Sequence, residues 1–259
     1  MSHHLLLLRP EDQASPLVAM LQQRATASGI TLNCHVHSMV AIRGYDDPNY
    51  SLRGILTQPW DGGLMVSVNA AEHFAQQAQA WAPECTIPNM RWFAVGPTSA
   101  SAIAKVVQRP VTCPWRQHNS DALLRLPELQ KVAGQRWLLV RGRGGRELVA
   151  DTLRARGAEV TYLEVYQRKP MAVSETTISH WLQHVNGIVV TSAEQLGYFL
   201  AAVPKHALEW LSTCYWVVAS ERLAQLLPVV VRQRVVIADS ATPFAVADAW
   251  HALIKKEDS

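Results

Sequence analysis

Residues 187–194 read Gly-Ile-Val-Val-Thr-Ser-Ala-Glu and indicate the fold class of this chain. An unbroken apolar run suits a strand that is covered on both faces, which is typical of parallel sheets flanked by helices. The Thr and Ser that follow suit a helix start, where a hydroxyl caps free backbone N–H groups. Other short apolar runs of this kind lie at 5–8, 64–66, 92–95, 137–140, 216–218 and 235–237. The chain is therefore predicted to have an α/β fold.

The same segment is part of an internal repeat. Residues 63–72, GLMVSVNAAE, resemble residues 187–194, and in both copies a Trp-led strand begins 29 residues after the first Gly. The apolar runs 5–9 and 137–141 also resemble each other. Each repeat of about 130 residues predicts five parallel strands, which is the strand count of a flavodoxin-like sheet.

Composition excludes several protein classes. The chain has 259 residues, of which 49% are hydrophobic and only 17% are charged, so it can bury sizeable cores and is neither disordered nor a coiled coil. A net charge of +3 without long runs of like charge does not indicate nucleic-acid binding. Apolar runs such as 5–8 and 229–231 are too short for a membrane span or a signal-peptide core. We therefore expect a soluble, cytoplasmic protein.

Cysteine and histidine spacing does not predict a disulfide framework or a metal site. The four cysteines are widely scattered, which predicts buried, reduced thiols: Cys34, Cys85, Cys113 and Cys214. The ten histidines include no HExxH motif: His180 and His184 are four apart, but the residues between them, Gln183 included, contain no acid of the kind a zinc protease has there. No metal is predicted.

The candidate binding residues follow the apolar runs, because ligands of open parallel sheets bind beyond the carboxyl ends of the strands. Small residues and hydroxyls at helix starts leave backbone N–H groups free to bind anions. The residues predicted to bind the ligand are Arg9, Ser67, Asn69, Gly96, Thr98, Ser99, Arg141, Gly142, Arg146, Thr191, Ser192, Ser220 and Glu221.

The run 141–147, Arg-Gly-Arg-Gly-Gly-Arg-Glu, is the most distinctive of these segments. It has neither the third glycine of a dinucleotide fingerprint nor the Lys-Ser/Thr end of a P-loop, so no nucleotide is implied. Its three guanidinium groups suit carboxylate recognition, because each can bond two oxygens at once. A solvated basic turn, with Gly144 and Gly145 serving the helix start, is the alternative interpretation.

Tyr166 is the candidate general acid, because it lies where the strand-like segment 159–166 turns polar. A phenol can donate a proton or a hydrogen bond inside a cleft. A tyrosine that only anchors a strand end remains the alternative. The nine tryptophans mostly begin or follow apolar runs, which favours core packing over base stacking.

These motifs occur in a specific order along the chain: Leu8-Arg9-Pro10, Ser67-Val68-Asn69-Ala70, Gly96-Pro97-Thr98-Ser99, Leu139 to Leu148 and Val165 to Pro170. In this order the chain resembles the uroporphyrinogen-III synthase family over essentially its whole length. The Arg-Gly-x-Gly-Gly-Arg-Glu run is the most specific part of the resemblance.

The resemblance implies an α/β fold of two flavodoxin-like parallel-sheet domains joined by a two-stranded linker. One domain is discontinuous and comprises residues 1–38 and 170–259; residues 39–169 form the second domain, with the linker strands at its ends. The two long strands expected to cross between the domains are 30–40 and 159–166. Members of the family often have Pro-Leu before the first crossing, where this chain has His37-Ser38-Met39-Val40.

The resemblance also implies an activity. The family's enzymes are hydro-lyases of haem biosynthesis that cyclise hydroxymethylbilane to uroporphyrinogen III with loss of water and inversion of ring D. No cofactor is implied, and the family's candidate acid falls at Tyr166. A monomer is expected, with the small-molecule substrate and transient contacts to other tetrapyrrole-pathway enzymes as its partners, and no nucleic acid or membrane.

Two other functions are compatible with such a fold. A non-catalytic two-domain protein that binds an anionic small molecule would share the fold and the cleft. A sugar-nucleotide transferase is disfavoured by the chain length and by the missing diphosphate loop.

Overall fold

The computed structural model describes residues 2–46, 48 and 52–257. The strands are β1 (Ser2–Leu8), β2 (Thr31–His37), β3 (Val40–Gly44), β4 (Gly62–Met65), β5 (Arg91–Ala94), β6 (Val111–Thr112), β7 (Arg136–Gly142), β8 (Glu159–Pro170), β9 (Gly187–Val190), β10 (Tyr215–Val218) and β11 (Val235–Ile237). The helices are α1 (Glu11–Ala27), α2 (Leu52–Thr57), α3 (Val68–Trp81), α4 (Pro97–Val107), α5 (Ser120–Leu124), α6 (Leu148–Ala155), α7 (Glu175–His184), α8 (Ala193–Ala202), α9 (Leu208–Thr213), α10 (Glu221–Gln225) and α11 (Pro243–Glu257).

The chain divides into two compact units. Unit 1 comprises Met1–Ala41 and Lys169–Ser259, and unit 2 comprises Ile42–Arg168. In unit 1 the strand order is β11-β10-β9-β1-β2, with parallel pairing throughout. If the five strands of this sheet are numbered in chain order, their order across the sheet is 2-1-3-4-5, as in flavodoxin-like proteins. The predicted α/β class with parallel sheets is confirmed.

The sheet of unit 2 repeats this order with one added strand. Its order is β3-β8-β7-β4-β5-β6. Without β3, which extends one edge, this is again the order 2-1-3-4-5, with β7 as strand 1 and β8 as strand 2. The pairs β8-β7, β7-β4, β4-β5 and β5-β6 are parallel.

The units do not coincide with the sequence repeats. Strand β1 of the first repeat pairs with β9 of the second, with Leu8 opposite Val190. Strand β4 of the first repeat pairs with β7 of the second, with Met65 opposite Val140. Each sheet therefore combines the first two strands of one repeat with the last three strands of the other, and the sheet of unit 2 also contains β3.

Both faces of each sheet are covered by a hydrophobic core, as the unbroken apolar runs predict. In β1, Leu6 and Leu8 pack on one face and Leu5 and Leu7 on the other, and all four are at most 1% exposed. Several tryptophans are fully buried, in agreement with the core-packing interpretation: Trp92, Trp137, Trp216 and Trp250. Trp115 is an exception, since it is 90% exposed.

The predicted crossing strand 30–40 is divided into two strands, because Ser38 and Met39 interrupt it. Met39 is fully buried in the core of unit 1, and its N–H donates to Oε1 of Gln195 at 2.6 Å. The chain passes from one unit to the other at 41/42 and 168/169, whereas the predicted domain boundaries are 38/39 and 169/170.

The four cysteines are free thiols, and only Cys214 is buried; the other three are half-buried. None of the helices described is both long and apolar enough to cross a membrane.

Candidate active site

A cavity of about 510 Å³ lies in unit 2 at the carboxyl ends of the sheet strands. Five of the predicted site residues line it: Ser67, Arg141, Gly142, Arg146 and Tyr166. Polar side chains that were not predicted also line it: His118, Asn119, Ser120 and Arg168. The cavity therefore combines hydroxyls, an imidazole, an amide and guanidinium groups within one unit.

Several helices begin beside this cavity. Ser67 caps α3, and its Oγ accepts a hydrogen bond from the N–H of Ala70 at 3.1 Å. Asn119 caps α5 in the same way, with 2.9 Å between its Oδ1 and the N–H of Ala122. The remaining N–H groups of these first turns suit an anionic ligand.

Gly96 at the start of α4 is packed beneath a cavity residue. A Cβ built at Gly96 would lie 3.0 Å from the Cβ of His118, so a larger residue there would push His118 away. Gly96 itself does not line the cavity, and its predicted role in binding the ligand stays a prediction.

Tyr166 is buried, with 3% of its surface exposed, and its hydroxyl lies 3.2 Å from Oγ of Ser67. Its ring stacks on the imidazole of His73 with 5.8 Å between the ring centres. A β-bulge produces this orientation: Arg141 is opposite Glu164 but Gly142 is opposite Tyr166.

The bulge breaks the usual alternation of side chains along β8. Val165 and Tyr166 are consecutive, yet both pack into the same core cluster of unit 2. The phenol hydroxyl is thereby brought to Ser67 at the wall of the cavity.

Gly142 gives the ring of Tyr166 its space. A Cβ at Gly142 would lie 2.4 Å from Cζ of Tyr166 and 2.9 Å from its hydroxyl oxygen. No side chain fits between these two strands at this point, because carbon atoms in contact lie about 3.5–4.0 Å apart.

Arg141 is 3% exposed, and its guanidinium is already bonded within the turn. It donates to Oε1 of Glu147 at 2.9 Å and to the carbonyl oxygen of Gly145 at 2.5 Å, and it lies 4.6 Å from the ring centre of Tyr162. The hydroxyl of Tyr162 in turn donates to Glu147. These contacts hold the turn between β7 and α6 in place.

The ionisation of this network is consistent with the hydrogen bonds. The hydrogen bond from Tyr162, together with the hydrogen bond and the charge of Arg141, holds the pKa of the Glu147 carboxyl below its usual value. Burial, and then the hydrogen bond to Glu147, raise the pKa of Tyr162. Glu147 therefore remains a carboxylate and Tyr162 remains a phenol at neutral pH.

Two other arginines present positive charge to the cavity. Arg146 is exposed, and among the described residues it has no hydrogen-bond or ion-pair partner. Arg168 is exposed and lies 5.9 Å from the ring centre of Tyr166. Arg143, the third arginine of the turn, packs on the ring of Tyr45 instead, at 5.0 Å.

Three further predicted residues of unit 2 are at helix starts and do not line the cavity. Asn69 is half-buried in the first turn of α3. Thr98 and Ser99 lie in the first turn of α4, where Thr98 is exposed and Ser99 is half-buried.

Five predicted residues lie in unit 1: Arg9, Thr191, Ser192, Ser220 and Glu221. They follow β1, β9 and β10, which pair in register, so they share one edge of that sheet. Nη2 of Arg9 donates to the carbonyl oxygen of Ala241 at 3.3 Å, and Oγ of Ser220 caps α10. Burial lowers the pKa of Arg9. Together these residues form a second polar edge, which belongs to unit 1.

Sequence reasoning missed four polar residues of the cavity. Arg168 could have been found, because residues two apart on a strand share a face and it lies two residues after Tyr166. His118, Asn119 and Ser120 follow β6, which has only two residues and gives no hydrophobic signal.

Comparison with protein families gives a match over most of the chain. The family model described as uroporphyrinogen-III synthase HemD matches residues 27–248. The chain is 42% identical over 153 residues to the uroporphyrinogen-III synthase of Escherichia coli K12, and this alignment covers 58% of the chain and 62% of that protein. The enzyme of Salmonella typhimurium is 43% identical over 154 residues, covering 58% and 63%. Both alignments thus span less than two thirds of the relatives' length.

Solved structures show the same fold. Uroporphyrinogen-III synthetase from Helicobacter pylori matches with a TM-score of 0.64 and 12% identity, over 98% of this chain and all of that chain. A mutant uroporphyrinogen III synthase from Thermus thermophilus matches with a TM-score of 0.56 and 16% identity, over 98% and 100%. At these identities the likeness concerns the fold alone.

Proposed function

Because the chain belongs to the uroporphyrinogen-III synthase family, we propose that it cyclises hydroxymethylbilane to uroporphyrinogen III, with loss of water and inversion of ring D. The observation that carries this proposal is the cavity of unit 2, where the phenol of Tyr166, the hydroxyl of Ser67 and the guanidinium of Arg146 line one space. A weak acid beside a cationic, N–H-rich wall is what a polycarboxylate substrate with a hydroxyl leaving group requires.

Tyr166 acts in this proposal as the general acid. The hydroxyl of the substrate's hydroxymethyl group leaves as water when it takes the phenol proton, while the pyrrole nitrogen supplies the electron pair that forms an azafulvene. The substituted α carbon of ring D then attacks the methylene carbon that lost the hydroxyl, which gives a spiro intermediate. This intermediate fragments and recloses with ring D inverted. Reclosure bonds the formerly free α carbon of ring D, and the proton lost from this carbon returns to the phenolate, so the acid is regenerated.

Binding and closure are assigned to the wall of the cavity. Arg146 and Arg168 and the free N–H groups at the starts of α3 and α5 bind carboxylates of the substrate. Arg141 holds the turn in position, because its guanidinium is bonded to Glu147 and Gly145. Since the substrate also cyclises unaided to the uninverted isomer, the main task of the protein is to hold the conformation that favours inversion.

The finer properties of the family belong to the same proposal. The enzyme is a hydro-lyase of haem biosynthesis that works in the cytoplasm as a monomer without a cofactor. Its partners are the small-molecule substrate and, by transient contacts, other tetrapyrrole-pathway enzymes. Arg9, Thr191, Ser192, Ser220 and Glu221 of unit 1 remain predicted substrate ligands.

The deciding experiment supplies freshly made hydroxymethylbilane to the purified chain and resolves the uroporphyrinogen isomers. An enzyme gives isomer III in excess. A protein that only binds the anion slows consumption of the bilane or leaves isomer I as the product. Formation of isomer I alone would refute the proposed activity.

The role of Tyr166 is tested with a matched pair of variants. Tyr166→Phe should lower the rate of isomer III formation about 100-fold or more, because the proton donor is lost. Tyr215→Phe is the control: this buried tyrosine of unit 1 packs against Gly187 as Tyr166 packs against Gly142, but lies in the other unit. Equal rates for the two variants would remove Tyr166 from the mechanism.

A further inference from the structure

Four histidines lie together on one face of unit 1, outside the candidate active site. His4 comes from β1, His35 from β2, and His180 and His184 from α7. The ring centres of His4 and His35 are 5.6 Å apart, those of His35 and His180 are 5.2 Å apart, and those of His180 and His184 are 4.5 Å apart. The ring of His184 also lies 6.3 Å from that of His4. We call these four residues the histidine cluster.

Two nitrogens of the histidine cluster already have the separation of metal ligands. Nδ1 of His4 and Nε2 of His35 are hydrogen-bonded at 3.3 Å, so a cation that binds both nitrogens takes the place of the proton between them. Two nitrogens bound to one tetrahedral ion at 2.0–2.1 Å are about 3.3 Å apart, and their ring centres are about 5 Å apart. The spacing of these two rings therefore suits a shared cation.

A hydrogen bond places the proton of His184 on the far side of its ring, and His4 has a partner that can do the same. Nδ1–H of His184 donates to the carbonyl oxygen of His180 at 3.0 Å, which leaves Nε2 of His184 with its lone pair. Nε2 of His4 lies 3.1 Å from Oγ of Ser2 and 3.4 Å from Nδ2 of Asn33. When Nδ1 of His4 binds a cation, the proton moves to Nε2, and Oγ of Ser2 can accept a hydrogen bond from it. Histidine ligands of metals are commonly fixed by such bonds from the second ring nitrogen.

The remaining step is a rotation of an exposed side chain. Within the described residues no three potential ligands already surround one point. His180 is exposed, so its ring can turn about its side-chain bonds toward the pair formed by His4 and His35. The ring of His184 already lies 6.3 Å from that of His4 while it keeps its hydrogen bond to the carbonyl oxygen of His180. The separation of four residues on a helix puts both rings on the same helix face.

We propose that the histidine cluster is a binding site for one transition-metal dication of the zinc, nickel and copper class. Neutral imidazoles prefer these metals, whereas magnesium and calcium prefer oxygen ligands. The ion joins β1, β2 and α7 on the surface of unit 1. It takes no part in the proposed reaction, whose cavity belongs to unit 2.

The test uses the full chain without a histidine tag, stripped of metal with EDTA and titrated with zinc chloride in a calorimeter. We expect one equivalent to bind, with a rise in the unfolding temperature because zinc binds the folded state. The variant His180→Ala/His184→Ala should bind zinc at least about 100-fold more weakly. The matched control His206→Ala/His251→Ala, which removes two histidines of unit 1 outside the cluster, should bind zinc as the unaltered chain does.

Each outcome bears on the proposal. Failure of the unaltered chain to bind zinc overturns it, and so does equal binding by the cluster variant or equal loss in the control variant. Cooperative unfolding of all variants without metal shows that they are folded, and His180→Gln/His184→Gln replaces the alanine variant if it is not. Isomer III formation does not enter the readout, so this result is independent of the proposed activity.

Discussion

Replacement of Gly142 by alanine tests how the structure positions Tyr166. The backbone of Gly142 does not have a positive φ, so alanine adds only a methyl group, but this carbon would lie 2.4 Å from Cζ of a buried ring. The ring must move by more than about 1 Å to restore a normal contact. Overpacking of this kind costs about 1–3 kcal/mol, and the stiffer unfolded chain offsets about 0.4–1 kcal/mol of it.

We therefore expect Gly142→Ala to lower the free energy of unfolding by about 1–2 kcal/mol, measured by urea unfolding. Isomer III formation should fall about 100-fold, because a catalytic group displaced by about 1 Å loses its geometry. The control is Gly197→Ala in α8, where a Cβ meets no atom within 4 Å; there alanine should raise the free energy of unfolding by about 0.5–1 kcal/mol.

A double-mutant cycle isolates the contact. In the background Tyr166→Ala the ring is gone, so adding Gly142→Ala should cost close to nothing. If Gly142→Ala destabilises the protein equally with and without the ring, the contact is not the cause and the reasoning fails.

Three further predictions follow from the same structure. Arg141→Ala should lower the free energy of unfolding by about 1.5–3 kcal/mol, because buried charged hydrogen bonds are lost. Arg146→Ala should change the free energy of unfolding by less than about 0.5 kcal/mol but raise KM about tenfold, and the reverse pattern would contradict the assigned roles. Burial raises the pKa of Cys34 to about 11 and that of Cys214 to about 12. At pH 8 both thiols should therefore react with iodoacetamide far more slowly in the folded than in the urea-unfolded protein. Equal reaction rates, measured by mass spectrometry, would contradict this prediction. Residues 42–168 expressed alone should unfold cooperatively and residues 1–130 should not; a cooperative transition of 1–130 would contradict the division into units.

Part of the candidate site was predictable from local sequence. The rule that ligands bind at the carboxyl ends of parallel strands selects Ser67, Arg146 and Tyr166, and all three line the cavity. The rule does not distinguish Arg146 from Arg141, because both lie in one basic turn. Only the folded turn shows that Arg141 is buried against Glu147 while Arg146 faces the cavity.

The orientation of Tyr166 likewise depends on a feature without a local signal. Strict alternation along β8 would place Val165 and Tyr166 on opposite faces of the sheet. The bulge opposite Gly142 places both in one core, because it inserts one residue into the ladder between β7 and β8. The histidine cluster has a similar origin, since residues 4, 35, 180 and 184 meet only when β1, β2 and α7 pack together.

Local sequence determined which segments form strands and helices, and that both faces of each sheet are buried. Unbroken runs such as Leu5–Leu8, and glycines such as Gly29 and Gly157 that end helices with positive φ, act through neighbouring residues alone. Tertiary structure decided which strands pair. The apolar runs of the two repeats are nearly interchangeable, so β1 has no local reason to pair with β9 instead of β4. That choice depends on the packing of whole faces brought together from distant parts of the chain, and it makes unit 1 discontinuous.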